Sequence, residues 1–342
     1  MHVVRPALLS DITALEILAA VTMPGVHTLP KTREKIAASV ERSIASFAAH
    51  VDIPSEESYL FVLEDGVSGA IVGTAAIFAS AGSNGTYFSF RNDVIQQVSR
   101  DLNISHSVHA LTLCSELTAY SQLSSFYVRD SSAGLAAALL SRARLLFAVL
   151  APHRFGDRFF VPLAGVTDAR GSSPFWDALG RKFFKMDFLD AEKVIGGARN
   201  RTLIVELMPH YPVYVPLLPG DAQAVMGQIH SDGELAFGLL TDEGFEADDY
   251  IDIFDGGPIL QAHKNALRSF SSSMARRVAS AEPGKSADLQ VSYAVAASNE
   301  QNFRAITVAC PAAEATDGVF LPLEAQSALM VEPGDHVICV RI

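Results

Sequence analysis

Few residues in this chain have types and spacings that could carry chemistry on their own. His106 and His109 stand three residues apart, a spacing that could hold a metal ion. No carboxylate or cysteine ligand set accompanies them, so we interpret them as two surface histidines. The cysteines, Cys114, Cys310 and Cys339, show no CxxC spacing, which argues against a disulfide framework and a zinc knuckle. The sequence therefore predicts no metal site and a reducing, cytoplasmic compartment.

The short motifs of several large enzyme classes are absent from the sequence. There is no GxxxxGKS/T, and no GxGxxG follows a strand, so neither nucleotide hydrolysis nor a Rossmann cofactor is indicated. GxSxG is missing as well, which argues against a hydrolase nucleophile elbow. The residues alone therefore predict no resident cofactor.

Composition and charge narrow the class of partner. Lysine and arginine number 26 against 38 aspartates and glutamates, a formal net charge of −12, which repels nucleic acid and anionic lipid. The longest apolar stretch, 135–150, contains Arg142 and Arg144 and is shorter than the ~18–20 apolar residues that cross a bilayer. With 49% hydrophobic residues in 342, the chain suits a sizeable core and about two domains. We therefore predict no nucleic-acid partner and no membrane association.

Hydrophobic patterning predicts an α+β chain. It favours a strand at 3–4, helices over 11–21 and 31–49, a hairpin of 59–64 with 70–79, strands at 108–113 and 123–128, a long helix over 134–150 and a strand at 158–164. Further along it favours helices at 173–180, 219–229 and 235–240, and strands at 183–188, 203–208 and 250–254. The glycine- and aromatic-rich segment 81–91 is predicted to be a surface loop.

The sequence patterns also predict how the chain divides into regions. Residues 1–268 form one region, with a core at 1–190 and a second half at 191–268. Residues 269–288, rich in serine and containing a Pro-Gly pair, are predicted to be a linker, and 289–342 a small β-rich C-terminal module. The segments 173–184 and 239–251 both resemble a helix that ends at glycine and runs into a strand. A partial second repeat is one interpretation, and we favour the glycine cap common to αβ units.

Longer motifs resemble known families. Two stretches near the N-terminus resemble the GNAT acyltransferases: the opening strand and helix, VRPA with its later Asp and Leu, and the hairpin YLFVLED…GAIVGTAAI. This resemblance implies a mixed, mostly antiparallel sheet flanked by helices. Five longer motifs resemble the arginine N-succinyltransferase family: GSSPFW at 171–176, FFKMDF at 183–188, ELMPHYPVYV at 206–215, GQIH at 227–230 and YIDIFDGGP at 250–258. This second resemblance covers essentially the whole chain.

The resemblance implies transfer of a succinyl group from succinyl-CoA to the α-amino group of arginine or ornithine, in arginine catabolism. Succinyl-CoA would then be a co-substrate. YFSFRN at 87–92 and LTLCSELT at 111–118 are most similar to the alpha-type chains of two-subunit members. The resemblance therefore also implies small-molecule substrates, a beta-subunit partner and a hetero-oligomer.

The resemblance further points to individual residues. It places CoA binding on the strand 123–128, with Phe126 at the family's CoA position, joined by Val128 and by Gly134 at the start of the long helix. His230 matches the family's proton donor, and an imidazole is able to protonate a departing sulfur or accept a proton from an amine. Two alternatives stay open: a buried core strand, and a helix-terminal histidine favoured by the macrodipole.

A guanidinium substrate and a succinyl group would each need charged partners. Carboxylates match a guanidinium bidentately, and Glu116 and Asp252 are the substrate-binding candidates. The succinyl carboxylate needs a cation, for which Arg91 is the first candidate, with Arg142 or Arg144 on the long helix as the weaker ones.

The sequence departs from the single-chain members of the family just before the long helix. Their glycine-rich loop would offer backbone N–H groups to the CoA pyrophosphate, whereas residues 129–136 read RDSSAGLA, with one glycine. Residues 162–164, Pro-Leu-Ala, replace a Glu-Met-Arg segment. Two hypotheses therefore stay open: a catalytic subunit, and a structural or regulatory subunit with a degenerate CoA loop.

Overall fold

The structure is a computed structural model. It describes residues 1–21, 29–30, 32–83, 85–130, 134–195, 201–279, 290–297, 300–311 and 318–342. The loop residues 131–133 and the part of the predicted linker from 280 to 288 lie outside the described residues.

Fifteen strands of the described residues join one sheet. They are β1 (His2–Pro6), β2 (Ser58–Asp65), β3 (Ile71–Phe78), β4 (Ser89–Ser99), β5 (Ile104–Cys114), β6 (Ser121–Val128), β7 (Arg158–Pro162), β8 (Val213–Tyr214), β9 (Glu246–Ile251), β10 (Pro258–His263), β11 (Met274–Val278), β12 (Gln290–Ala297), β13 (Arg304–Pro311), β14 (Gly318–Val319) and β15 (His336–Arg341). Their order across the sheet is β14-β11-β15-β12-β13-β1-β2-β3-β6-β7-β10-β9-β4-β5-β8.

The sheet is mostly antiparallel. Within the described ranges only β6 with β7 and β11 with β14 pair in parallel. The parallel pair β6–β7 lies near the middle of the sheet, between the hairpin β2–β3 and the antiparallel pair β10–β9. The predicted mixed, mostly antiparallel sheet is confirmed.

Eleven α-helices surround this sheet in the described part of the chain. They are α1 (Ile12–Ala20), α2 (Arg33–Ala48), α3 (Gly134–Leu150), α4 (Pro174–Ala178), α5 (Gly180–Phe184), α6 (Phe188–Ile195), α7 (Arg201–Leu207), α8 (Gly220–Val225), α9 (Glu234–Glu243), α10 (Arg268–Ser271) and α11 (Leu323–Leu329). None of the helices in the described residues is long and apolar enough to span a membrane.

Helices cover both faces of the sheet near β2. Successive side chains of a strand point to opposite faces, and β2 is buried on both. Phe61 and Leu63 pack in the cluster that contains α3, whereas Leu60 and Val62 pack in the cluster that contains α1 and α2. The α3 helix is alanine- and leucine-rich and buried over most of its length, which fits its place against the centre of the sheet.

The second half of the chain has its own apolar cluster. Trp176 is fully buried and stacks on Phe254, with ring centroids 5.4 Å apart. Its indole nitrogen donates to the carbonyl of Met186 at 3.0 Å, which satisfies its one polar group. Trp176 is therefore a core residue of this cluster.

Two strands that the sequence predicts are absent from the structure. Residues 183–188 and 203–208 were predicted as strands, but they lie in or between α5, α6 and α7. Short apolar runs do not distinguish a strand from a buried helix, and here Lys185 ends α5 in a left-handed conformation with φ of 57°. Gly180 begins α5 and no strand follows α4, so segment 173–184 is not the glycine-capped helix running into a strand that both the repeat and the favoured αβ-cap interpretation assume.

The predicted surface loop at 81–91 is wrong for its aromatic half. Tyr87, Phe88 and Phe90 are buried, and β4 begins at Ser89. The strand escaped prediction because its outer part, beyond Phe90, is largely exposed and polar and lacks a clear alternation.

The predicted linker is also wrong over its first part. Residues 274–278 form β11, which pairs with β15 and β14. Exposed residues alternate with partly buried ones along this strand, a pattern typical of the edge region of a sheet. The region beyond residue 289 is rich in strands, as predicted, and the pairing of β13 with β1 joins these strands to the main sheet. The division into domains stays a prediction.

Candidate active site

A cleft opens where the parallel strands β6 and β7 separate. The two strands pair only at Ser121 with Phe159 and at Gln122 with Phe160. Beyond this point the cleft forms a cavity of about 540 Å³, with residues 124–129 on one side and 161–164 on the other. The backbone groups that would continue the β6–β7 ladder are therefore available to an extended ligand.

A bulge in β6 accompanies this separation. Ser125 has a φ of 53°, in the left-handed region that a non-glycine residue seldom adopts. The register of β6 against β3 shifts at the same place, between the partners of Thr74 and Ala76. Bulges bend a strand and re-aim its groups, so this one turns the outer half of β6 away from a regular ladder.

The third wall of the cleft comes from the start of α9. Residues 231–236 and Leu240 line the cavity opposite the strands. Gly244, with a φ of 112°, ends α9 and leads directly into Phe245 and β9. The predicted helix with its glycine cap is thus confirmed here, and it forms part of the cleft.

His230 lies immediately before this third wall. Its backbone N–H donates to the carbonyl of Ala164 at 2.8 Å, and Ile229 forms an antiparallel bridge with Gly165. The side chain is 13% exposed. These contacts fix residue 230 against the end of β7, although the ring itself is not among the residues that line the cavity.

Hydrogen bonding defines the orientation of the His230 ring. Nδ1 accepts the backbone N–H of Asp232 at 3.2 Å and lies 3.7 Å from that residue's carboxylate. A neutral imidazole whose Nδ1 accepts carries its proton on Nε2. The residue caps the N-terminal end of a 3₁₀ turn, where a helix dipole favours anions, so the macrodipole alternative does not account for a histidine here.

A buried carboxylate holds the end of β7. Asp255, which is fully buried, accepts the N–H of Gly165 on Oδ2 and the N–H of Gly257 on Oδ1, both at 2.8 Å. A Cβ at Gly165 would lie 2.6 Å from the carbonyl oxygen of Asp255, so the close approach needs glycine. Asp255 therefore ties together the turn after β9 and the strand end that positions His230.

Two arginines line the cleft: Arg129, just after β6, is exposed, whereas Arg144 is buried. Arg144 of α3 is 1% exposed, and its guanidinium lies over the Phe126 ring, 5.4 Å from the centroid. Burial lowers the pKa of this guanidinium to about 9, so the group is still charged at neutral pH. The cleft thus combines polar and apolar lining residues with one buried cation.

The predicted CoA-binding residues lie at the cleft to different degrees. Phe126 and Val128 line the cavity. Gly134 begins α3 and is exposed, with open space around the position of a Cβ, and it does not line the cavity. The three residues before it lie outside the described residues. CoA binding by these three residues stays a prediction.

The predicted substrate residues Arg91 and Glu116 contact each other. Arg91 Nη1 donates to Glu116 Oε1 at 2.6 Å, and its Nε donates to Asp93 Oδ1 at 2.7 Å. The hydroxyl of Tyr250 also donates to Glu116, and Thr112 donates to Asp93. Arg91 thus already has two carboxylate partners, and neither it nor Glu116 lines the cleft cavity.

These contacts shift the protonation equilibria of the group. The hydrogen bond from Arg91, then that from Thr112, lowers the pKa of Asp93. The hydrogen bond from Tyr250, with Arg91, lowers the pKa of Glu116, while burial and Glu116 raise the pKa of Tyr250. All four groups therefore keep their ordinary charge at neutral pH, as a structural network does.

Asp252 lies apart from that pair. It is 4% exposed, and its Oδ1 accepts the N–H groups of Phe254 at 2.7 Å and Asp255 at 3.4 Å. Among the described residues it contacts neither Arg91 nor Glu116. It builds the turn that carries Asp255, and a role in binding substrate stays a prediction.

His106 and His109 lie three residues apart on β5, so their side chains point to opposite faces. His109 Nδ1 lies 3.1 Å from Asn92 Oδ1. Within the described residues no group of three or more histidine, cysteine or acidic side chains could hold a metal ion.

Fold and cleft together define an α+β protein built around two diverging parallel strands, with a histidine fixed at the end of one of them. A family model described as "Arginine N-succinyltransferase beta subunit" matches residues 2–269. The arginine N-succinyltransferase subunit alpha of Pseudomonas aeruginosa is 45% identical over 343 residues, covering 100% of both chains. The chain belongs to the arginine N-succinyltransferase family.

Other relatives agree with this membership. The arginine N-succinyltransferase of Escherichia coli is 34% identical over 346 residues, covering 100% of this chain and 98% of the relative. The arginine N-succinyltransferase subunit beta of P. aeruginosa is 37% identical over 287 residues, 84% of each chain. The solved structure of arginine/ornithine succinyltransferase subunit AI from P. aeruginosa superimposes with a TM-score of 0.89 at 43% identity, covering 100% of this chain and 98% of that one.

Proposed function

We propose that this chain transfers the succinyl group of succinyl-CoA to the α-amino group of L-arginine or L-ornithine, as a step in arginine breakdown. The observation that carries the proposal is the cleft between β6 and β7, with His230 fixed at the end of β7, in a member of the arginine N-succinyltransferase family. The names of the relatives support the reaction, and those relatives cover the full length of the chain.

The cleft suits an acyl thioester as co-substrate. A GNAT-like arrangement is supported by the parallel pair β6–β7, the bulge at Ser125 and the long helix α3 that follows β6. In this arrangement the unpaired backbone of residues 124–128 would bind the pantetheine arm, beside the side chains of Phe126 and Val128. Gly134, at the start of α3, would lie towards the pyrophosphate, because the N-terminus of a helix favours anions.

The chemistry requires one bond to form and one to break. The neutral α-amine attacks the thioester carbonyl, the C–N bond forms, and the C–S bond breaks as the tetrahedral intermediate collapses. The amine loses one proton and the leaving thiolate gains one, so no oxidant or reductant is needed. His230, with its proton on Nε2, would protonate the sulfur and be restored by the proton that the amine releases.

We also propose a beta-type subunit as partner and the cytoplasm as compartment. Relatives from P. aeruginosa are named subunit alpha and subunit beta, and this chain is 45% identical to the first. None of the three cysteines, Cys114, Cys310 and Cys339, is joined in a disulfide, which fits a reducing compartment. Small-molecule substrates are the other partners that the cleft would take.

A second candidate is a structural or regulatory subunit that has lost independent CoA binding. The observation that favours it is the sequence RDSSAG at 129–134, where single-chain members carry a glycine-rich loop. This candidate would bind little succinyl-CoA alone, and its complex would not depend on His230.

The test is a succinyl-transfer assay on the full chain, alone and co-purified with a beta-type subunit from the same source. CoA release is followed with a thiol reagent, and the product is identified by mass spectrometry. L-arginine and L-ornithine are the acceptors, and Nα-acetyl-L-arginine, whose α-amine is blocked, is the matched control.

We expect succinylation of arginine or ornithine and none of the blocked acceptor. Activity that needs the partner and is unchanged when His230 is replaced would favour the structural subunit. Absence of succinyl transfer in both preparations would contradict the proposed function.

A further inference from the structure

Arg144 is a buried cation that makes no direct ion pair among the described residues, and the one carboxylate whose charge acts on it, Glu243, is already paired with Arg142. Its Nε donates to the carbonyl of Ser141 at 3.2 Å, Nη2 to the hydroxyl of Ser141 at 3.1 Å, and Nη1 weakly to the carbonyl of Ser124 at 3.5 Å. No described carboxylate lies within ion-pair distance of it. A guanidinium has five N–H groups, so two of them are left for another acceptor.

Two other buried arginines show what a purely structural role looks like in this fold. Arg142, two residues earlier, donates to Glu243 at 3.1 Å and to the carbonyl of Arg341 at 3.0 Å. Arg154 donates to the carbonyls of Ser46 and Ala49 and to the hydroxyl of Tyr59. Neither lines the cleft. Arg144 alone of these three combines deep burial, the absence of a carboxylate partner and a place on the cavity wall.

The surroundings of Arg144 favour an anionic ligand. A buried charge without a partner is costly, and proteins seldom keep one unless something pairs with it. The buried part of the cavity is lined by apolar side chains that include Val161, Leu163, Ala236 and Leu240, whereas its other charged lining residues, Arg129, Asp232 and Glu234, are exposed. A carboxylate that entered this space would meet the remaining N–H donors of Arg144, and a guanidinium is a favourable partner for a carboxylate.

We propose that Arg144 binds the terminal carboxylate of the succinyl group and thereby selects succinyl-CoA over acyl-CoA molecules that end in a methyl group. The inference rests on the proposed function and adds to it the residue that determines acyl-group specificity. Arg91, the first candidate from the sequence, suits this role less well because Asp93 and Glu116 already neutralise it outside the cleft.

The location distinguishes this anion from the phosphates of CoA. Gly134 begins α3, and ten residues at ~1.5 Å per residue place the Cα of Arg144 about 15 Å further along the helix axis. The helix start suits the phosphates, whereas Arg144 lies deep in the cleft beside Ser124 and Phe126. The ligand group that reaches it is therefore the acyl end of the thioester.

The experiment compares kcat/KM for succinyl-CoA with that for butyryl-CoA, which has the same number of acyl carbons and no carboxylate. The variants are Arg144→Met, Arg144→Lys and the matched control Arg154→Met, each in the full chain with its partner subunit. Calorimetric binding of both thioesters and thermal unfolding are measured on the same preparations.

We expect Arg144→Met to lower the succinyl-to-butyryl ratio of kcat/KM by about 100-fold, because truncating one partner of a buried charge pair has an effect of this order. Arg144→Lys should recover part of the ratio. Arg154→Met should lower thermal stability, because it leaves the carbonyls of Ser46 and Ala49 without their guanidinium donor, and should keep the ratio within about threefold of the wild type.

The inference fails if Arg144→Met folds and keeps the wild-type ratio while the wild type transfers succinyl, and the proposed function then still stands. If the wild type transfers no acyl group, the proposed function fails, and the binding data decide the inference. Tighter binding of succinyl-CoA than butyryl-CoA that is lost in Arg144→Met would still support it. Equal binding, or no binding of either, would overturn it.

Discussion

At the scale of single residues, His230 is held by its backbone and by its own ring. The hydrogen bond from its backbone N–H to the carbonyl of Ala164 fixes the main chain, and the hydrogen bond that Nδ1 accepts from the N–H of Asp232 orients the imidazole. If this ring moves the proton, His230→Ala and His230→Gln should both lower kcat about 100-fold or more, the usual contribution of general acid–base catalysis. Stopped-time assays measure kcat, and thermal unfolding of each variant shows whether it is still folded.

His230→Gln is the sharper of the two variants. A glutamine oxygen is able to accept the Asp232 N–H in place of Nδ1, so the turn should keep its stability, but an amide does not exchange protons as an imidazole does. A glutamine variant with near wild-type kcat would show that the residue is only a turn cap.

Asp255 and Asp252 provide a matched pair at the same turn. Both oxygens of Asp255 accept an N–H, from Gly165 and Gly257, so Asp255→Asn leaves one buried donor facing an amide NH₂. It should lower the free energy of unfolding by about 1–3 kcal/mol. Asp252 accepts both of its N–H groups on Oδ1 alone, so Asp252→Asn should cost less than about 1 kcal/mol.

Urea unfolding curves of the two variants measure this difference. Equal losses would contradict the assigned hydrogen bonds. The KM for arginine, measured on Asp252→Asn, separately tests whether this residue also binds substrate, as the sequence predicts.

At the scale of secondary-structure elements, the bulge in β6 shapes the cleft. Ser125 has a left-handed backbone, which costs an L-residue other than glycine roughly 1–2 kcal/mol and a β-branched residue at least as much. Ser125→Gly should therefore keep or slightly raise the free energy of unfolding, and Ser125→Val should be less stable than the glycine variant by about 1–2 kcal/mol. Chemical denaturation of both variants checks the order, and a valine variant as stable as the glycine variant would contradict it.

The link between β4 and β5 predicts an acid-sensitive contribution to stability. Arg91 and Thr112 lower the folded-state pKa of Asp93 below its usual value of about 4. A carboxylate with a lowered pKa stabilises the fold at pH values above about 4, and this contribution is lost as the pH falls through the folded-state value. Asp93→Asn should therefore show a shallower loss of stability than the wild type between about pH 5 and pH 3.

Urea unfolding at a series of pH values measures both slopes. Parallel curves for the wild type and Asp93→Asn would contradict the role given to the Arg91 hydrogen bond. The effect should be modest, since the Asp93 side chain is about one-third exposed.

Elements with a long or regular pattern could be predicted from the sequence. The helices α2 and α3 and the hairpin β2–β3 follow their apolar periodicity closely, and their predicted and observed positions agree. The helices α5 and α7 could not be predicted, because runs of five to seven residues carry no resolvable period. The strand β11 was missed because serines and two arginines precede or fill it, and its pairing with β15 depends on a segment sixty residues away.

The candidate site could likewise be predicted from the sequence only in part. Phe126, Val128 and His230 were identified through the family resemblance, and the structure places the first two on the cleft and the third beside it. The pairing of Arg91 with Glu116 depends on the register of β4 against β5, so it could not be predicted from the sequence. Arg144 was a weaker sequence candidate, because burial without a direct ion pair is a property of the folded chain alone.

At the scale of the whole molecule, the sheet connects the two ends of the chain. Phe303, just before β13, and Val340 of β15 share a buried cluster with Phe61 of β2 and Phe147 of α3. Arg142 reaches from α3 to the carbonyl of Arg341 in the last strand. The C-terminal strands thus support the helix whose inner face carries Arg144, which couples the position of the cation to the integrity of the full sheet.

Hydrogen–deuterium exchange with and without saturating succinyl-CoA tests the central claim most directly, because it locates the thioester on the backbone. Beyond Gln122, the side of β6 that faces β7 lacks strand partners, so its amides should exchange readily in the free protein and slow on binding. We expect protection in peptides that cover 123–129 and 161–165, and no change in β12 and β13. Protection confined to other parts of the chain, or none at all while the thioester is bound, would contradict the account.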